Sequence, residues 1–119
     1  MIGALPAMMS PDMAATDSHA LVLTTASSRD EANAIADVLL ERRLAACVQF
    51  VAIDSAYVWQ DEVVREPEVL LIVKTRAELF DEIGAAVVEV HSYDVPEVVL
   101  VPMQAGLGSY LAWIDDATT

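Results

Sequence analysis

The sequence predicts an α+β fold of the ferredoxin-like βαββαβ type, because one strand–helix–strand plan occurs twice. The first copy runs from the apolar segment 21–25 through a helical stretch to the apolar segment 45–51. The second runs from segment 69–75 through another helical stretch to segment 98–101. Two such units, joined by one long hairpin, form a single sheet with both helices on one face. The other face of the sheet is then left open.

The first unit begins with a strand at residues 20–25, followed by a helix at residues 30–43. Apolar residues recur along this helix at spacings of three and four, which is typical of a helix with one buried face. The capping box from Ser28 to Glu31 predicts the start of the helix, because both side chains can accept from free amides there.

The second predicted strand covers residues 45–59 and the third covers residues 63–74, with the turn at Gln60-Asp61-Glu62. A bulge or bend is expected at Asp54-Ser55. Each arm has about twelve to fifteen residues, against a usual five or six. We therefore expect roughly six residues per arm, about 20 Å, to project past the helices.

The projecting part of the hairpin carries apolar side chains, among them Tyr57, Trp59 and Val63. Bare apolar hairpins are marginal in water and prone to edge pairing. A closed symmetric oligomer, in which each hairpin docks on a neighbour, resolves this. The alternative is that the C-terminal segment of the same chain covers the hairpin.

The second unit is completed by a helix at residues 77–90 and a strand at residues 97–102. A second capping box, from Thr75 to Glu78, predicts the start of that helix. The apolar segment 109–114 predicts a short docked helix at the end of the domain.

Residues 1–18 are rich in Ala, Met and Pro and lack the basic start of a secretory signal. We interpret them as a disordered leader, and residues 19–119 as one domain. A single cysteine, Cys47, cannot form an internal disulfide, which favours a reducing, cytoplasmic location.

The composition excludes several partners. The formal net charge is −13, which would repel nucleic acid and anionic membrane surfaces. Hydrophobic residues make up 55 % of the chain, yet no apolar run approaches the roughly 20 residues of a membrane-spanning helix. We therefore expect no nucleic-acid partner and no membrane association.

The loop before the last predicted strand contains the candidate functional residues. It places His91, Tyr93, Asp94 and Glu97 within one short segment. His91 could ligate a metal or carry a proton, or it could simply cap a helix end. Lys74, at the end of the third strand, could hold an anionic ligand or pair with a carboxylate.

The sequence contains no established catalytic motif. The loop at residues 26–29 offers one arginine but no glycine-rich cradle of the kind that acyl-phosphate hydrolysis on this fold would need. We therefore expect a protein that is not an enzyme.

With these residues identified, the chain resembles the CutA family, described as divalent-cation tolerance proteins. The resemblance covers about residues 21–115 and rests on Thr24-Thr25-Ala26, Leu44-Ala45-Ala46-Cys47-Val48, Tyr57-Val58-Trp59, Val73-Lys74-Thr75, His91-Ser92-Tyr93-Asp94-Val95-Pro96-Glu97 and Tyr110-Leu111-Ala112-Trp113. It implies a ferredoxin-like fold, a cytoplasmic homotrimer, an architecture akin to PII-type signalling proteins, and a link to copper and other divalent metals.

The resemblance implies a cleft between subunits that binds a divalent cation or small ligand. Its predicted ligand-binding residues are Lys74, Tyr93, Glu97, Trp59 and Trp113, with His91 as the metal candidate. Some family members are described as binding copper through a cysteine and a histidine pair. Thr24 and Val90 stand at the cysteine and first histidine positions, so a Cu(I) site here would be weak and no cofactor is firmly implied. The alternative function is a PII-like signalling module that senses a metabolite and acts through a protein partner.

Overall fold

The computed structural model describes residues 12–119, which form a four-stranded antiparallel sheet, a small two-stranded sheet and three α-helices. The elements in chain order are β1 (Met13–Ala15), β2 (His19–Ala26), α1 (Arg29–Glu41), β3 (Cys47–Trp59), β4 (Glu62–Arg76), α2 (Phe80–Val90), β5 (Val99–Pro102), β6 (Ala105–Leu107) and α3 (Gly108–Ala117). The larger sheet has the order β3-β4-β2-β5. This architecture confirms the predicted ferredoxin-like α+β fold.

The hydrophobic core lies between α1, α2 and one face of the larger sheet. Its fully buried side chains include Val22, Leu71 and Val73 on the strands and Ile35, Leu39 and Ile83 on the helices. Alternate residues of β2 and β4 supply the sheet side, as the two-residue period of a strand requires. Across residues 12–119, no helix has both the length and the apolar character needed to cross a membrane.

The opposite face of the sheet remains open within one subunit. Val51, Val99 and Val101 are 42 %, 45 % and 40 % exposed. They lie across from Leu70, Leu23 and Leu21 in the strand register. Contiguous apolar surface of this kind marks an interaction surface.

The hairpin of β3 and β4 projects as predicted. The register runs without interruption from Cys47↔Lys74 to Trp59↔Glu62. β2 ends opposite Val69, so residues 53–59 and 62–68 extend beyond it, by about 23 Å at 3.3 Å per residue. Gln60 and Asp61, with φ of 51° and 66°, form the two-residue turn, whose positive φ values match the strand twist.

The predicted bulge at Asp54-Ser55 is wrong. Asp54 lies directly opposite Pro67 in an unbroken ladder. Pro67 stands beyond the end of β2, where β4 has a free edge and a residue without an amide hydrogen is tolerated.

The two predicted capping boxes have different outcomes. The amide of Glu31 donates to Ser28 Oγ at 3.1 Å, so the first box is confirmed. The second is wrong, because Thr75 lies inside β4 and its hydroxyl donates to the carbonyl of Leu44 at 2.6 Å. A 3₁₀ turn, Ala77–Leu79, follows the strand, and α2 begins without a side-chain cap.

Two buried threonines on the sheet differ in whether the hydroxyl has a hydrogen-bond partner, so their replacement by valine can be compared. Thr24 and Thr75 are both 0 % exposed. Within residues 12–119 the Thr24 hydroxyl has no hydrogen-bond partner. Thr24→Val should therefore stabilise the protein by about 1 kcal/mol, because it removes an unsatisfied polar group without changing shape. Thr75→Val should destabilise it by about 1–2 kcal/mol, because the Leu44 carbonyl loses its donor.

Urea unfolding at one protein concentration measures both threonine effects. The slope with denaturant should stay constant while the midpoints move in opposite directions. A loss of stability in Thr24→Val would show that its hydroxyl has a partner in solution.

The predicted disordered leader is wrong for residues 12–18. β1 pairs with β6, in the register Met13↔Leu107. The amide of Gly108 donates to the carbonyl of Asp12 at 2.8 Å, and the amide of Thr16 donates to Gln104 O at 3.0 Å. These backbone bonds give the segment a partner that its own composition does not reveal. The rest of the predicted leader, residues 1–11, lies outside the described residues.

The C-terminal helix α3 confirms the predicted short helix, but it does not cover the hairpin. Arg43 donates to the carbonyls of Asp116 and Thr119 at 2.9 and 2.8 Å, and Arg76 donates to Thr118 O at 2.7 Å. Cationic donors satisfy the free carbonyls of a helix end. α3 is thereby held at the Arg76 end of β4, opposite the hairpin tip, which stays exposed.

Candidate functional site

A cleft lies where the hairpin meets the loop between α2 and β5. Its volume is about 510 Å³. The side chains that line it come from β2, both hairpin arms and the loop: Thr25, Ser55, Ala56, Tyr57, Trp59, Glu68, Ser92, Tyr93, Asp94, Val95 and Glu97. Three of them are carboxylates, three are aromatic and none is basic. The cleft is therefore both acidic and aromatic.

Glu68 is the buried carboxylate of the cleft. The residue is 8 % exposed, and its Oε2 accepts from the Tyr93 hydroxyl at 2.7 Å. Burial and this hydrogen bond raise the pKa of Tyr93 well above its usual value. The Tyr93 hydroxyl therefore keeps its proton and remains a donor to Glu68 at neutral pH.

A second tyrosine–glutamate pair stands beside the first. The Tyr57 hydroxyl donates to Glu66 Oε1 at 2.5 Å. This hydrogen bond raises the pKa of Tyr57 from 10.0 to about 12. Glu66 and Glu68 lie two residues apart in β4 and so share one face of the strand. The two pairs hold their aromatic rings at fixed positions along the cleft.

His91 ties the loop to β2. Its Nε2 lies 2.6 Å from the carbonyl oxygen of Thr25, and its Nδ1 lies 3.1 Å from the amide nitrogen of Tyr93. A carbonyl only accepts and an amide only donates, so Nε2 carries the proton and Nδ1 holds the lone pair. The side chain is 0 % exposed. Within one subunit, neither nitrogen is free for a metal. His91 stands at the C-cap position of α2, and its ring bonds Thr25 and Tyr93 rather than the helix carbonyls.

Glu31 anchors the same loop to the start of α1. Its Oε1 accepts from the amide and hydroxyl of Ser27 at 2.9 and 3.0 Å, and its Oε2 accepts from the Ser92 amide at 2.8 Å. Burial alone would raise the pKa of this carboxyl. The hydrogen bonds from Ser92 and Ser27 outweigh it and lower the pKa from 4.5 to about 2. The Ser27 amide, in the loop where an acyl-phosphate cradle was considered, thus already donates to Glu31.

The structure separates the sequence-predicted site residues into two groups. Trp59, Tyr93 and Glu97 line the cleft. Lys74 and Trp113 do not. The Lys74 ammonium lies 5.9 Å from the Tyr110 ring centroid, and the rings of Tyr110 and Trp113 are 5.6 Å apart. Lys74 stands six residues beyond Glu68 on β4, or about 20 Å away.

Sequence reasoning missed Glu68, Tyr57 and Thr25 as cleft residues, and it missed Glu66 as the partner of Tyr57. A signal was present, because the two glutamates alternate on the strand predicted to pair with the arm of Tyr57 and Trp59. Glu66 is the diagonal cross-strand neighbour of Tyr57, which lies opposite Val64, and long side chains reach each other across such a diagonal. Thr25 contributes its backbone carbonyl to His91, and no side-chain pattern signals that role.

Potential metal ligands do not cluster in the described part of one subunit. No group of three His, Cys, Asp or Glu side chains within residues 12–119 is placed to hold one ion. Thr24 is fully buried, and Val90 packs against the core. The residues at the expected copper-ligand positions therefore do not fit copper in one subunit.

Fold and cleft together define the class: a ferredoxin-like α+β protein with an acidic, aromatic cleft beside a projecting hairpin. The family described as CutA1 divalent ion tolerance protein matches residues 20–117, and the chain belongs to it. The names of these proteins denote tolerance proteins rather than enzymes.

Individual relatives agree with this membership. The divalent-cation tolerance protein CutA of Thermus thermophilus is 43 % identical over 99 residues, which are 82 % of this chain and 96 % of that protein. The structure of the periplasmic divalent cation tolerance protein CutA from Archaeoglobus fulgidus is 40 % identical, with a TM-score of 0.84 over 85 % of this chain and 99 % of that one. The structure of CutA from Synechococcus elongatus is 31 % identical, with a TM-score of 0.87 over 92 % and 97 % of the two chains.

Proposed function

We propose that this protein is a non-enzymatic, cytoplasmic homotrimer associated with divalent-metal tolerance, which binds a divalent cation or small ligand in a cleft completed by a neighbouring subunit. The single observation that carries the proposal is the separation of the site into two halves. One subunit presents an acidic, aromatic cleft without a cation. Elsewhere on the same sheet it presents a lysine with two aromatic rings and no acidic partner within residues 12–119.

The open sheet face and the projecting hairpin support assembly. Val51, Val99 and Val101 leave an apolar strip uncovered, and Trp59 is 42 % exposed at the end of β3. Burial of apolar surface contributes about 25 cal/mol per Å². In a closed ring, each subunit presents its acidic half to one neighbour and its lysine half to the other. This arrangement would place Lys74 and Trp113 of a neighbouring subunit against Glu97.

The trimer is tested by light scattering across a dilution series. A mass of three chains supports the proposal, and a monomer at all concentrations contradicts it. The metal-stripped protein is then titrated calorimetrically with Cu(II), Zn(II) and adenine nucleotides, beside His91→Ala. Binding unchanged in His91→Ala places the ligand in the cleft rather than on the imidazole.

Mixing two defective variants tests the shared cleft. A ligand that contacts both the Lys74 ammonium and the Glu97 carboxylate should bind poorly to pure trimers of either Lys74→Ala or Glu97→Gln. When the two are refolded together in equal amounts, about one quarter of the interfaces regain both intact halves. Recovery of that fraction of sites supports a shared cleft. No recovery from two folded, trimeric variants contradicts it.

The hairpin tip favours a second candidate function, a PII-like signalling module that docks a protein partner. Val58 and Val63 lie opposite each other at the tip and are 71 % and 67 % exposed. A partner captured by the native protein but not by the Val58→Ser, Val63→Ser double variant supports this function. Recovery of the protein alone contradicts it.

A further inference from the structure

We infer that residues 12–19 position the lysine half of the proposed cleft. This half consists of Lys74 on β4 and the rings of Tyr110 and Trp113 on α3. The segment binds α3 at both of its ends and so sets where the two rings lie beside the lysine. The inference rests on the proposed function, because it concerns one half of the same shared cleft. Residues 12–19 precede residues 20–117, which match the family, so this role is additional to the features that define the family.

The start of α3 is bound to the beginning of the segment. The amide of Gly108, the first residue of the helix, donates to the carbonyl of Asp12 at 2.8 Å. The first amides of a helix have no partner within the helix itself, and α3 begins without a side-chain cap. The backbone of the segment therefore acts as the cap of this helix.

The end of α3 is bound to the end of the segment through a buried histidine. His19 is 6 % exposed, and its Nε2 lies 2.8 Å from Asp115 Oδ1. A carboxylate only accepts, so Nε2 carries a proton and donates to the helix side chain. On the other side of the ring, Nδ1 lies 2.6 Å from Thr16 Oγ1, which also accepts from the Ser18 amide at 3.1 Å. The imidazole is thus held from both sides and fixes the position of Asp115.

The two rings of the lysine half lie between these two contacts along the helix. Tyr110 and Trp113 are on its exposed side, whereas Leu111 and Ile114 are buried beneath it. The Lys74 ammonium lies 5.9 Å from the Tyr110 ring centroid, which is within the range of a cation–π interaction. A movement of α3 shifts the rings but not Lys74, which belongs to β4. The two contacts of the segment therefore set the distance between the rings and the lysine.

The arginine contacts at the end of α3 act on that end only. Arg43 and Arg76 bind main-chain oxygens between residues 116 and 119. A helix held at one end can still pivot about that end, and main-chain contacts near its axis resist rotation poorly. The Gly108 contact holds the opposite end, and the Asp115 contact holds a side chain away from the axis. The segment thus supplies constraints that the arginines do not.

The test is acrylamide quenching of Trp113 fluorescence in the full chain carrying Trp59→Phe, which leaves Trp113 as the only tryptophan. Asp115→Ala removes the acceptor of the His19 proton. We expect its quenching constant to rise about twofold or more, because Trp113 is at most 44 % exposed in the native protein and approaches full exposure when α3 loosens.

Gly108→Pro tests the other end of the helix and should raise the quenching constant in the same way. It removes the amide that donates to Asp12, and proline is favoured at the first position of a helix. Leu107 before it is extended, with φ of −61° and ψ of 127°, as a residue before proline requires. The variant therefore keeps the helix and loses the contact.

Two further variants separate positioning from general stability. Asp116→Ala, at the exposed next residue of α3, is the matched control and should leave the quenching constant unchanged. Asp115→Asn keeps an oxygen that accepts from His19 and should restore the native value. Unchanged quenching in both Asp115→Ala and Gly108→Pro, even with a lower Tm, would overturn the inference. An equal rise in Asp116→Ala would overturn it as well.

Light scattering on the same samples tests the proposed function separately. A native protein that is a monomer contradicts the proposed trimer. A native trimer in which neither Asp115→Ala nor Gly108→Pro changes the quenching of Trp113 contradicts only the positioning role of residues 12–19.

Discussion

Replacing Trp59 by alanine is expected to cost about 3 kcal/mol per subunit and to loosen the trimer. In one subunit Trp59 is 42 % exposed and lies opposite Glu62, in the part of the hairpin that extends beyond β2. Truncating a half-exposed side chain of a monomer would cost only about 1 kcal/mol. Truncating a fully packed tryptophan costs about 3–5 kcal/mol. The size of the loss therefore reports whether a neighbouring subunit covers the indole.

The effect of Trp59→Ala is measured as a change in Tm at fixed protein concentration, with the mass followed by light scattering on dilution. A loss of that size should lower the Tm by about 10 °C, and dissociation should occur at higher concentration than in the native protein. Val88→Ala, on α2 and 61 % exposed, is the control and should change stability by no more than about 0.5 kcal/mol. Unchanged Tm and mass in Trp59→Ala would show that the hairpin is not an interface element.

The order of the main elements could be predicted because their signals are local. The helical spacing of Ile35 and Leu39 identifies the buried face of α1, and the Ser28–Glu31 box marks its start; both are features of consecutive residues. The long hairpin follows from two long strand-like segments with a turn between them. Such patterns need no knowledge of what lies across the core.

The features that could not be predicted depend on distant partners. Thr75 has the residue preference of a helix cap, but the Leu44 carbonyl, 31 residues earlier, takes its hydroxyl and keeps it within a strand. Met13–Ala15 is too short to carry a periodic signal, and its partner strand, Ala105–Leu107, lies at the far end of the domain. Tertiary contacts decide both cases.

Only part of the candidate site could be predicted, because its other residues also depend on distant partners. The loop of His91, Tyr93 and Glu97 is a dense cluster of polar groups and stands out in the sequence. Glu68 does not, because a glutamate in a strand normally faces water. Its burial and its bond to Tyr93, 25 residues later, arise only when the loop folds over the hairpin.

Glu31→Gln is expected to destabilise the protein by about 2 kcal/mol near neutral pH. The carboxylate of Glu31 accepts two hydrogen bonds from Ser27 and one from Ser92. An amide has one oxygen and one NH₂ group, so one set of donors would face another donor. Hydrogen bonds to a charged group contribute about 1.5–3 kcal/mol, which sets the expected loss. Because Ser92 lines the cleft, ligand binding should weaken as well.

The pH dependence of the Glu31 effect distinguishes its charge from its shape. The folded-state pKa is about 2, below the ordinary value of 4.5, so the ionised carboxylate stabilises the folded state fully above about pH 5. That contribution is lost as the pH falls from about 4.5 to 2. The difference in the free energy of unfolding between the native protein and Glu31→Gln should therefore close over this range. Asp30→Asn, an exposed neighbour in the same helical turn, is the control and should cost no more than about 0.5 kcal/mol. If the stability difference between the native protein and Glu31→Gln stays constant from pH 6 to pH 3, the carboxylate charge does not stabilise the loop.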